Sequence, residues 1–280
     1  MAKRARLAKK SRAGKRARPV EASKVGAGLA VAGRWLSQVA AGAGKSIASA
    51  YHAVDPDVRR HLAQTPLAGL SLLAARERAV EALPDDGRPP IVFVHGLGGH
   101  RGNFIGMQAL LRLSGRRRTY SLGFPAASTL QDMARTVRQA IHEVVRVNGL
   151  AQKDPVDLVA HSMGGLVARL ALEDPATRAR IRTLVTLGTP HGGTFAARFG
   201  ATAHLLELRP GSETLSILQS QVPWKGSPRL VCFWSAADVF LLPASSACVE
   251  GAENKELQNF THYSYLIHPR ASQAVLEALE

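Results

Sequence analysis

Hydrophobic residues along this chain fall into two kinds of pattern. Short runs of mostly apolar and β-branched residues, typical of buried strands, alternate with stretches in which apolar residues recur every three or four positions, as on one face of a helix. The predicted strands lie at 91–94, 119–123, 156–159, 181–187 and 229–234. The predicted helices lie at 104–113, 130–147, 166–172 and 271–279. Because strands alternate with helices, the pattern predicts an α/β fold with a mostly parallel central sheet flanked by helices.

Residues 195–228 form a long segment between two predicted strands. Segments of this length in a compact domain usually carry function or helices of their own. Its apolar residues give it one strongly hydrophobic side: Phe199, Leu205, Leu206, Leu208, Leu215, Ile217 and Leu218. The pattern predicts one or two helices that form a cap or lid over a site, or alternatively helices of the ordinary core.

Ser162 stands at the junction between a predicted strand and the helix that follows it. A sharp turn there would expose the serine hydroxyl and would place the backbone N–H of Met163 beside it, as a donor to an oxyanion. Such a turn needs small residues two positions before and two positions after the serine, and Ala160 and Gly164 supply them. The alternative is a serine that only caps a helix.

A glycine-rich loop, His-Gly-Leu-Gly-Gly at 95–99, directly follows the predicted strand at 91–94. A loop of this kind could bind phosphate. However, it lacks the Lys-Ser/Thr pair of a P-loop and the spaced glycines of a dinucleotide site. The sequence therefore argues against a nucleotide site here.

Ala-His-Ser-Met-Gly-Gly at 160–165 resembles the serine segment of the α/β-hydrolase superfamily, specifically its bacterial lipase and esterase branch (triacylglycerol lipase-like). The superfamily usually has glycine where this chain has Ala160. Gly-Thr-Pro-His-Gly-Gly-Thr at 188–194 resembles the segment that follows the sixth strand in many of these lipases. The resemblance implies an α/β-hydrolase fold and hydrolysis of carboxylic esters through an acyl-enzyme. It also implies that the backbone of Leu97 supplies a second oxyanion donor.

The segments that carry the resemblance also contain the candidate substrate-binding residues: His95, Gly96, His161, Pro190 and His191. By the family pattern, His191 shapes the floor of the pocket and is not the catalytic base. The apolar cap indicates acyl chains or another apolar ester as the substrate.

A catalytic triad needs a carboxylate that holds the histidine in one tautomer. Among the acidic residues between Ser162 and the last histidines, Asp238 alone lies immediately after a predicted strand. His262 and His268 both lie near the C-terminus, and His262 precedes the last helix as the resemblance implies. The order Ser162, Asp238, His262 is that of the α/β-hydrolases. We therefore predict these three residues as the triad.

The predicted chemistry requires no cofactor. Some bacterial lipases hold a structural calcium ion near the histidine, but Thr261 and Tyr263 beside His262 provide no carboxylate cluster, so no metal is expected. The two cysteines, Cys232 and Cys248, cannot form a zinc site by themselves. A disulfide between them and two buried free thiols both remain open.

The basic residues are distributed unevenly along the chain. The 280 residues are 46% hydrophobic and carry a net charge of +15, but nine basic residues and no acidic residue lie within 1–18. The high charge therefore says little about the rest of the protein. Residues 1–24 are predicted to be a disordered basic tail and residues 25–84 an Ala/Gly-rich and helical extension. Residues 85–280 are predicted to be the catalytic domain, with the cap at about 195–228.

Residues 1–50 contain no uninterrupted run that approaches the roughly 20 apolar residues of a membrane span. They are interpreted as a peripheral contact with a membrane or another anionic surface. A cytoplasmic or peripheral membrane location is favoured, and secretion or organellar import stays open. No base-reading fold accompanies the basic residues, so no specific nucleic acid partner is expected.

A triad does not specify whether water or an alcohol accepts the acyl group. An acyltransferase, a thioesterase or a polyester depolymerase on the same fold is therefore an alternative. A lipid- or polymer-surface-binding protein that uses its basic N-terminus is another.

Overall fold

The structure, a computed structural model, describes residues 79–125 and 128–280, together with Pro56, Arg59, Ala63 and Gln64. The described residues all belong to one compact unit, residues 54–280, which begins before the predicted domain boundary at residue 85. The predicted basic tail and most of the predicted extension lie outside the described residues, so both stay predictions. Within the described part of the chain, no helix is long and apolar enough to cross a membrane.

One central sheet organises the fold. Its strands are β1 Ile91–Val94, β2 Thr119–Ser121, β3 Val156–His161, β4 Ile181–Leu187, β5 Arg229–Trp234 and β6 Glu253–Glu256. The six strands lie in the order β2-β1-β3-β4-β5-β6. Every adjacent pair is parallel, which confirms the predicted parallel sheet.

Strand β6 is absent from the sequence prediction. Its residues, Glu-Asn-Lys-Glu, are all exposed and show no apolar alternation. It lies at the edge of the sheet and pairs with β5 through the backbone. The pattern of hydrophobic residues does not reveal such a strand, because the side chains of an edge strand need not be buried.

Helices cover the sheet on both faces. They are α1 Ile105–Leu113, α2 Leu130–Val147, α3 Met163–Ala171, α4 Pro175–Arg180, α5 Ala203–Glu207, α6 Glu213–Gln219, α7 Ser264–Ile267 and α8 Pro269–Ala278. Short 3-10 helices span Arg101–Phe104, Phe195–Phe199 and Ala244–Ala247.

Helix α2 has the predicted bounds, and a capping box defines its start. The Thr129 hydroxyl accepts the N–H of Asp132, and the Asp132 carboxylate accepts the N–H of Thr129.

Alternate side chains of β1 enter two different cores. Val92 and Val94 belong to the hydrophobic cluster that includes residues of α2 and α3. Ile91 and Phe93 belong to the cluster that includes residues of α1 and α8. All four side chains are fully buried. The strand therefore consists of consecutive apolar residues, as expected for a parallel strand covered on both faces.

A buried ion-pair network lies near the start of β3. Asp157 is fully buried, and its carboxylate accepts hydrogen bonds from Arg182 at 3.0 and 2.7 Å and from Arg116 at 3.3 Å. Arg182 also donates to the C=O of Leu279 at 2.6 Å. The network therefore joins β3, β4 and the C-terminal end of the chain.

We predict that Asp157→Ala destabilises the protein by about 3–5 kcal/mol, because it leaves the buried Arg116 without its charge partner. Urea denaturation followed by circular dichroism measures the change in the free energy of unfolding. Glu143→Ala, which removes an exposed partner of Arg146, serves as the control and is expected to leave the midpoint unchanged. An unaltered midpoint for Asp157→Ala would contradict the proposed role of the network.

Candidate active site

Ser162 lies in the turn between β3 and α3, and its backbone is strained. Its φ of 56° and ψ of −132° lie in a region that residues other than glycine rarely adopt. Its N–H donates to the C=O of Leu187 at 2.9 Å, which ties the turn to the end of β4. The side chain is partly exposed and lines a cavity.

Two glycines allow other backbone segments to pass close to this turn. A Cβ added at Gly164 would lie 2.4 Å from the carbonyl oxygen of Val94. A Cβ added at Gly96 would lie 2.7 Å from the Cβ of Ser162. Neither approach leaves room for a side chain. The small residue expected two positions after the serine is therefore needed because α3 begins directly against the end of β1.

The structure brings the three predicted catalytic side chains together. The Nε2 of His262 lies 2.8 Å from the Oγ of Ser162, and its Nδ1 lies 2.8 Å from the Oδ2 of Asp238. Asp238 follows β5 and is buried, and His262 lies between β6 and α7. The Oδ1 of Asp238 accepts the N–H of Phe240 at 3.0 Å. This second hydrogen bond fixes the carboxylate in the orientation that faces the imidazole.

The arrangement is suited to activation of a hydroxyl nucleophile. When the Nδ1–H of His262 donates to the buried carboxylate, the Nε2 is free to accept the proton of Ser162. His268, the other histidine considered, lies elsewhere: its Nδ1 accepts the N–H of Arg270 at the start of α8, at 3.1 Å. Only His262 of the two contacts the serine.

His161 holds the backbone of His262. Its Nε2 lies 2.9 Å from the carbonyl oxygen of His262, and the two rings lie with their centroids 4.6 Å apart. Burial holds the pKa of His161 well below its ordinary value, and the neighbouring His262 adds to this effect. His161 is therefore neutral and donates its Nε2–H to that carbonyl.

A cavity of about 510 Å³ opens at Ser162. The segment predicted as a cap supplies one apolar wall: Ala196, Ala197, Phe199, Leu205 and Leu208. Helix α6 contributes no residue to the lining, and its Leu215 and Leu218 belong to the core. Residues up to Leu208 thus line the cavity, and Ala197 and Leu208 among them also belong to the core, as does α6. A lid over the serine stays a prediction.

The loop after β1 runs beside the N-terminus of α3. Leu97 lines the cavity together with Ser162, and a Cβ added at Gly96 would lie 3.2 Å from the backbone nitrogen of Met163. The N–H groups of Leu97 and Met163 therefore belong to adjacent backbone segments. Two donors placed in this way could hold a negatively charged oxygen bonded to the carbon that the serine attacks. Their role as the oxyanion hole stays a prediction.

The residues predicted to bind substrate divide into two groups. Gly96, His161 and Pro190 line the cavity, whereas His95 and His191 are not part of its lining. The latter two are buried elsewhere, with 6% and 5% of their surface exposed. Each of them is adjacent in sequence to a lining residue, His95 to Gly96 and His191 to Pro190.

His191 belongs to a buried polar network around Arg169. The Nη1 of Arg169 lies 3.3 Å from the Nδ1 of His191, and its Nη2 donates to the C=O of Leu218 at 2.6 Å. Its Nε donates to the side chain of Gln221 at 3.0 Å. Burial lowers the pKa of Arg169 to about 10 and holds that of His191 well below its ordinary value. Helical spacing alone does not show that Arg169 is buried, because its acceptors lie in a distant segment.

Both cysteines are free. Cys232 is buried and Cys248 is partly exposed. Burial raises the pKa of the Cys232 thiol to about 12, so this thiol stays protonated. Among the residues that the structure describes, no group of three or more His, Cys, Asp or Glu side chains could hold a metal ion.

Comparison with known proteins identifies relatives over part of the chain. Residues 120–206 match the family described as PGAP1-like alpha/beta domain. A GPI inositol-deacylase of Cryptococcus neoformans var. neoformans serotype D (strain B-3501A) is 48% identical over 69 residues, which are 21% of this chain and 9% of that protein. GPI inositol-deacylase B of Yarrowia lipolytica (strain CLIB 122 / E 150) is 31% identical over 169 residues, 49% of this chain and 17% of that protein. The chain thus spans only a small part of the length of these relatives.

Solved structures share the fold over most of the chain. Lipase B of Aspergillus fumigatus has a TM-score of 0.62 at 19% identity, over 74% of this chain and 56% of its own. The mature lipase BlEst2 of Bacillus licheniformis has a TM-score of 0.58 at 19% identity, over 71% of this chain and 94% of its own. The parallel sheet, the serine turn between β3 and α3 and these likenesses together show that the chain has the α/β-hydrolase fold.

Proposed function

We propose that the protein is a serine hydrolase that cleaves carboxylic esters of acyl lipids. The observation that carries the proposal is the hydrogen-bonded series from Ser162 through His262 to Asp238, which opens into a partly apolar cavity. The names of the similar proteins, lipase and GPI inositol-deacylase, agree with an ester substrate. The substrate of this chain is inferred from its own cavity, because the chain covers little of the deacylases.

The first half of the reaction forms an acyl-enzyme. His262 removes the proton from Ser162 as the serine oxygen attacks the ester carbonyl. The Asp238 carboxylate stabilises the positive charge that develops on the imidazole. When the tetrahedral intermediate collapses, the C–O bond to the alcohol breaks and His262 transfers its proton to the departing alcohol oxygen.

The second half of the reaction releases the acid. A water molecule enters where the alcohol has left, and His262 removes one of its protons as the water oxygen attacks the acyl carbonyl. The resulting intermediate collapses, the proton returns to the oxygen of Ser162, and the carboxylic acid departs. The same histidine thus acts as base and then as acid in each half.

Both tetrahedral intermediates carry a negative charge on the former carbonyl oxygen. We assign its stabilisation to the N–H groups of Leu97 and Met163. The turn that exposes Ser162 also places the N–H of Met163 at the start of α3. Removal of one such donor typically costs about 2.7–4 kcal/mol of transition-state stabilisation.

The cap side of the cavity defines the substrate class. Apolar side chains from residues 196–208 line this wall, among them Phe199, which is 65% exposed. Phe240, which follows β5, also lines the cavity and is 42% exposed. Burial of each CH₂ group of an acyl chain against such a surface stabilises the complex by about 0.8 kcal/mol. We therefore propose that the acyl chain, and not the alcohol, binds against the cap.

Ser162→Ala is expected to lower kcat for p-nitrophenyl esters by at least about 10⁴-fold, because it removes the nucleophile. The release of p-nitrophenol is measured for acetyl, butyryl, octanoyl and palmitoyl esters. Ser114→Ala, the same change at an exposed serine at the end of α1, is the matched control and should keep the wild-type rate. Equal rates for the wild type and Ser162→Ala would rule out Ser162 as the nucleophile.

Asp238→Asn is expected to lower kcat by about 10³–10⁴-fold with little change in KM. The side chain keeps its size, but an amide cannot stabilise the imidazolium and favours the wrong histidine tautomer. Asp85→Asn, at a carboxylate whose side chain is 73% exposed, provides the control. A kcat within tenfold of the wild type would mean that another carboxylate orients His262.

Leu205→Trp is expected to reduce kcat/KM for the octanoyl ester by about tenfold or more and to leave the acetyl ester within about threefold, because the larger ring occupies space that a longer acyl chain needs. Hydrolysis of the same series of p-nitrophenyl esters gives kcat/KM for the octanoyl and the acetyl ester. Leu113→Trp, at a side chain that is 85% exposed and outside the cavity, is the control. A uniform decrease for all chain lengths would argue against acyl binding at the cap.

A further inference from the structure

Gln64 contacts the segment that carries His262, although the two lie far apart in the sequence. Its side-chain Oε1 accepts hydrogen bonds from the hydroxyl of Thr261, 197 residues away, and from the hydroxyl of Ser264, 200 residues away, the latter at 3.1 Å. No motif in the sequence marks Gln64, and it precedes the predicted boundary of the catalytic domain at residue 85.

The two hydroxyls belong to one tight turn around His262. The N–H of Ser264 donates to the C=O of Thr261 at 3.0 Å, and the N–H of Thr261 donates to the Oγ of Ser264 at 3.0 Å. Thr261 and Ser264 are both buried, with 0% and 2% of their surface exposed, respectively. A buried hydroxyl without an acceptor is unfavourable, so Gln64 completes the hydrogen bonds of this turn.

His262 is therefore held from two directions. Gln64 binds the residues on either side of the histidine, and His161 donates to the carbonyl of the histidine itself. These contacts restrain the backbone of His262, whose Nε2 lies 2.8 Å from the Oγ of Ser162. Proton transfer depends on this separation, and a displacement of about 1 Å can cost about 10²-fold in rate.

We propose that Gln64 is a positioning residue for the reaction: by accepting the hydroxyl hydrogens of Thr261 and Ser264, it keeps His262 aligned with Ser162. The inference rests on the proposed ester hydrolysis. Gln64 touches no reacting atom, so it acts only through the turn. A carboxamide oxygen is suited to the task, because its two lone pairs can accept two hydroxyl groups.

The test uses three substitutions in the full chain. Gln64→Leu has a similar volume and removes the acceptor, whereas Gln64→Glu keeps an acceptor oxygen at the same reach. Gln273→Leu makes the first change at an exposed glutamine of α8, whose side chain donates to the Oε1 of Glu277 at 2.9 Å and lies outside the cavity lining. Active sites are titrated with a fluorophosphonate that reacts with Ser162, and kcat and KM are measured for the butyryl ester.

Gln64→Leu is expected to lower kcat per titrated site by about tenfold and to change KM by less than about twofold, because alignment affects proton transfer more than binding. Gln64→Glu is expected to stay within about threefold of the wild-type kcat, and Gln273→Leu to match the wild type. A merely structural role would instead lower the melting temperature and the number of titratable sites, with kcat per site unchanged.

Each outcome bears on a different claim. If Gln64→Leu keeps the wild-type kcat per site while Ser162→Ala is inactive, the positioning role is wrong and ester hydrolysis stands. If hydrolysis by the wild type does not require Ser162, both proposals are wrong. If Gln64→Leu does not fold, Gln64→Asn, which keeps the amide and shortens the side chain, replaces it. A wild-type kcat per site for Gln64→Asn then overturns the positioning role.

Discussion

The backbone strain at Ser162 is the constraint on which the rest of the structure depends. A residue with a side chain adopts a positive φ only where its surroundings impose it. Here the N–H bond to the end of β4 and the close approach of Gly96 and Gly164 hold the turn between β3 and α3. The same contacts bring the loop after β1 beside the N-terminus of α3. The same turn therefore both exposes the hydroxyl of Ser162 and brings the backbone of Leu97 close to that of Met163.

Parallel strands direct distant parts of the chain to one edge of the sheet. Ser162 follows β3, Asp238 follows β5 and His262 follows the edge strand β6, so the carboxyl ends of three strands meet at the site. The buried carboxylate of Asp157 lies near the opposite end of β3, where it neutralises Arg116 and Arg182. The ion pairs around Asp157 and the proposed catalytic side chains therefore lie toward opposite ends of the sheet.

Buried polar side chains give the site its second layer of support. His161 and Gln64 hold the backbone around His262, and Arg169 joins α3 to His191 and to the residues at the end of α6. Each of these groups is hydrogen-bonded to a distant segment: His161 and Arg169 donate to backbone carbonyls, whereas Gln64 accepts from two hydroxyls. The rigid position of the site therefore depends on hydrogen bonds between segments as much as on the two apolar cores.

The sequence by itself determined the parts of the protein whose signals are local. The apolar runs of β1, β4 and β5, the period of α2 and the small residues around Ser162 reflect burial or sterics at those same positions. Only the tertiary structure decided where polar side chains with distant partners lie. The tertiary structure added strand β6, which pairs with β5 through the backbone. It also placed His191 in the interior, outside the cavity, and Gln64 against the turn that carries His262. These features depend on contacts between residues far apart in the chain, and no periodicity in a single segment records such contacts.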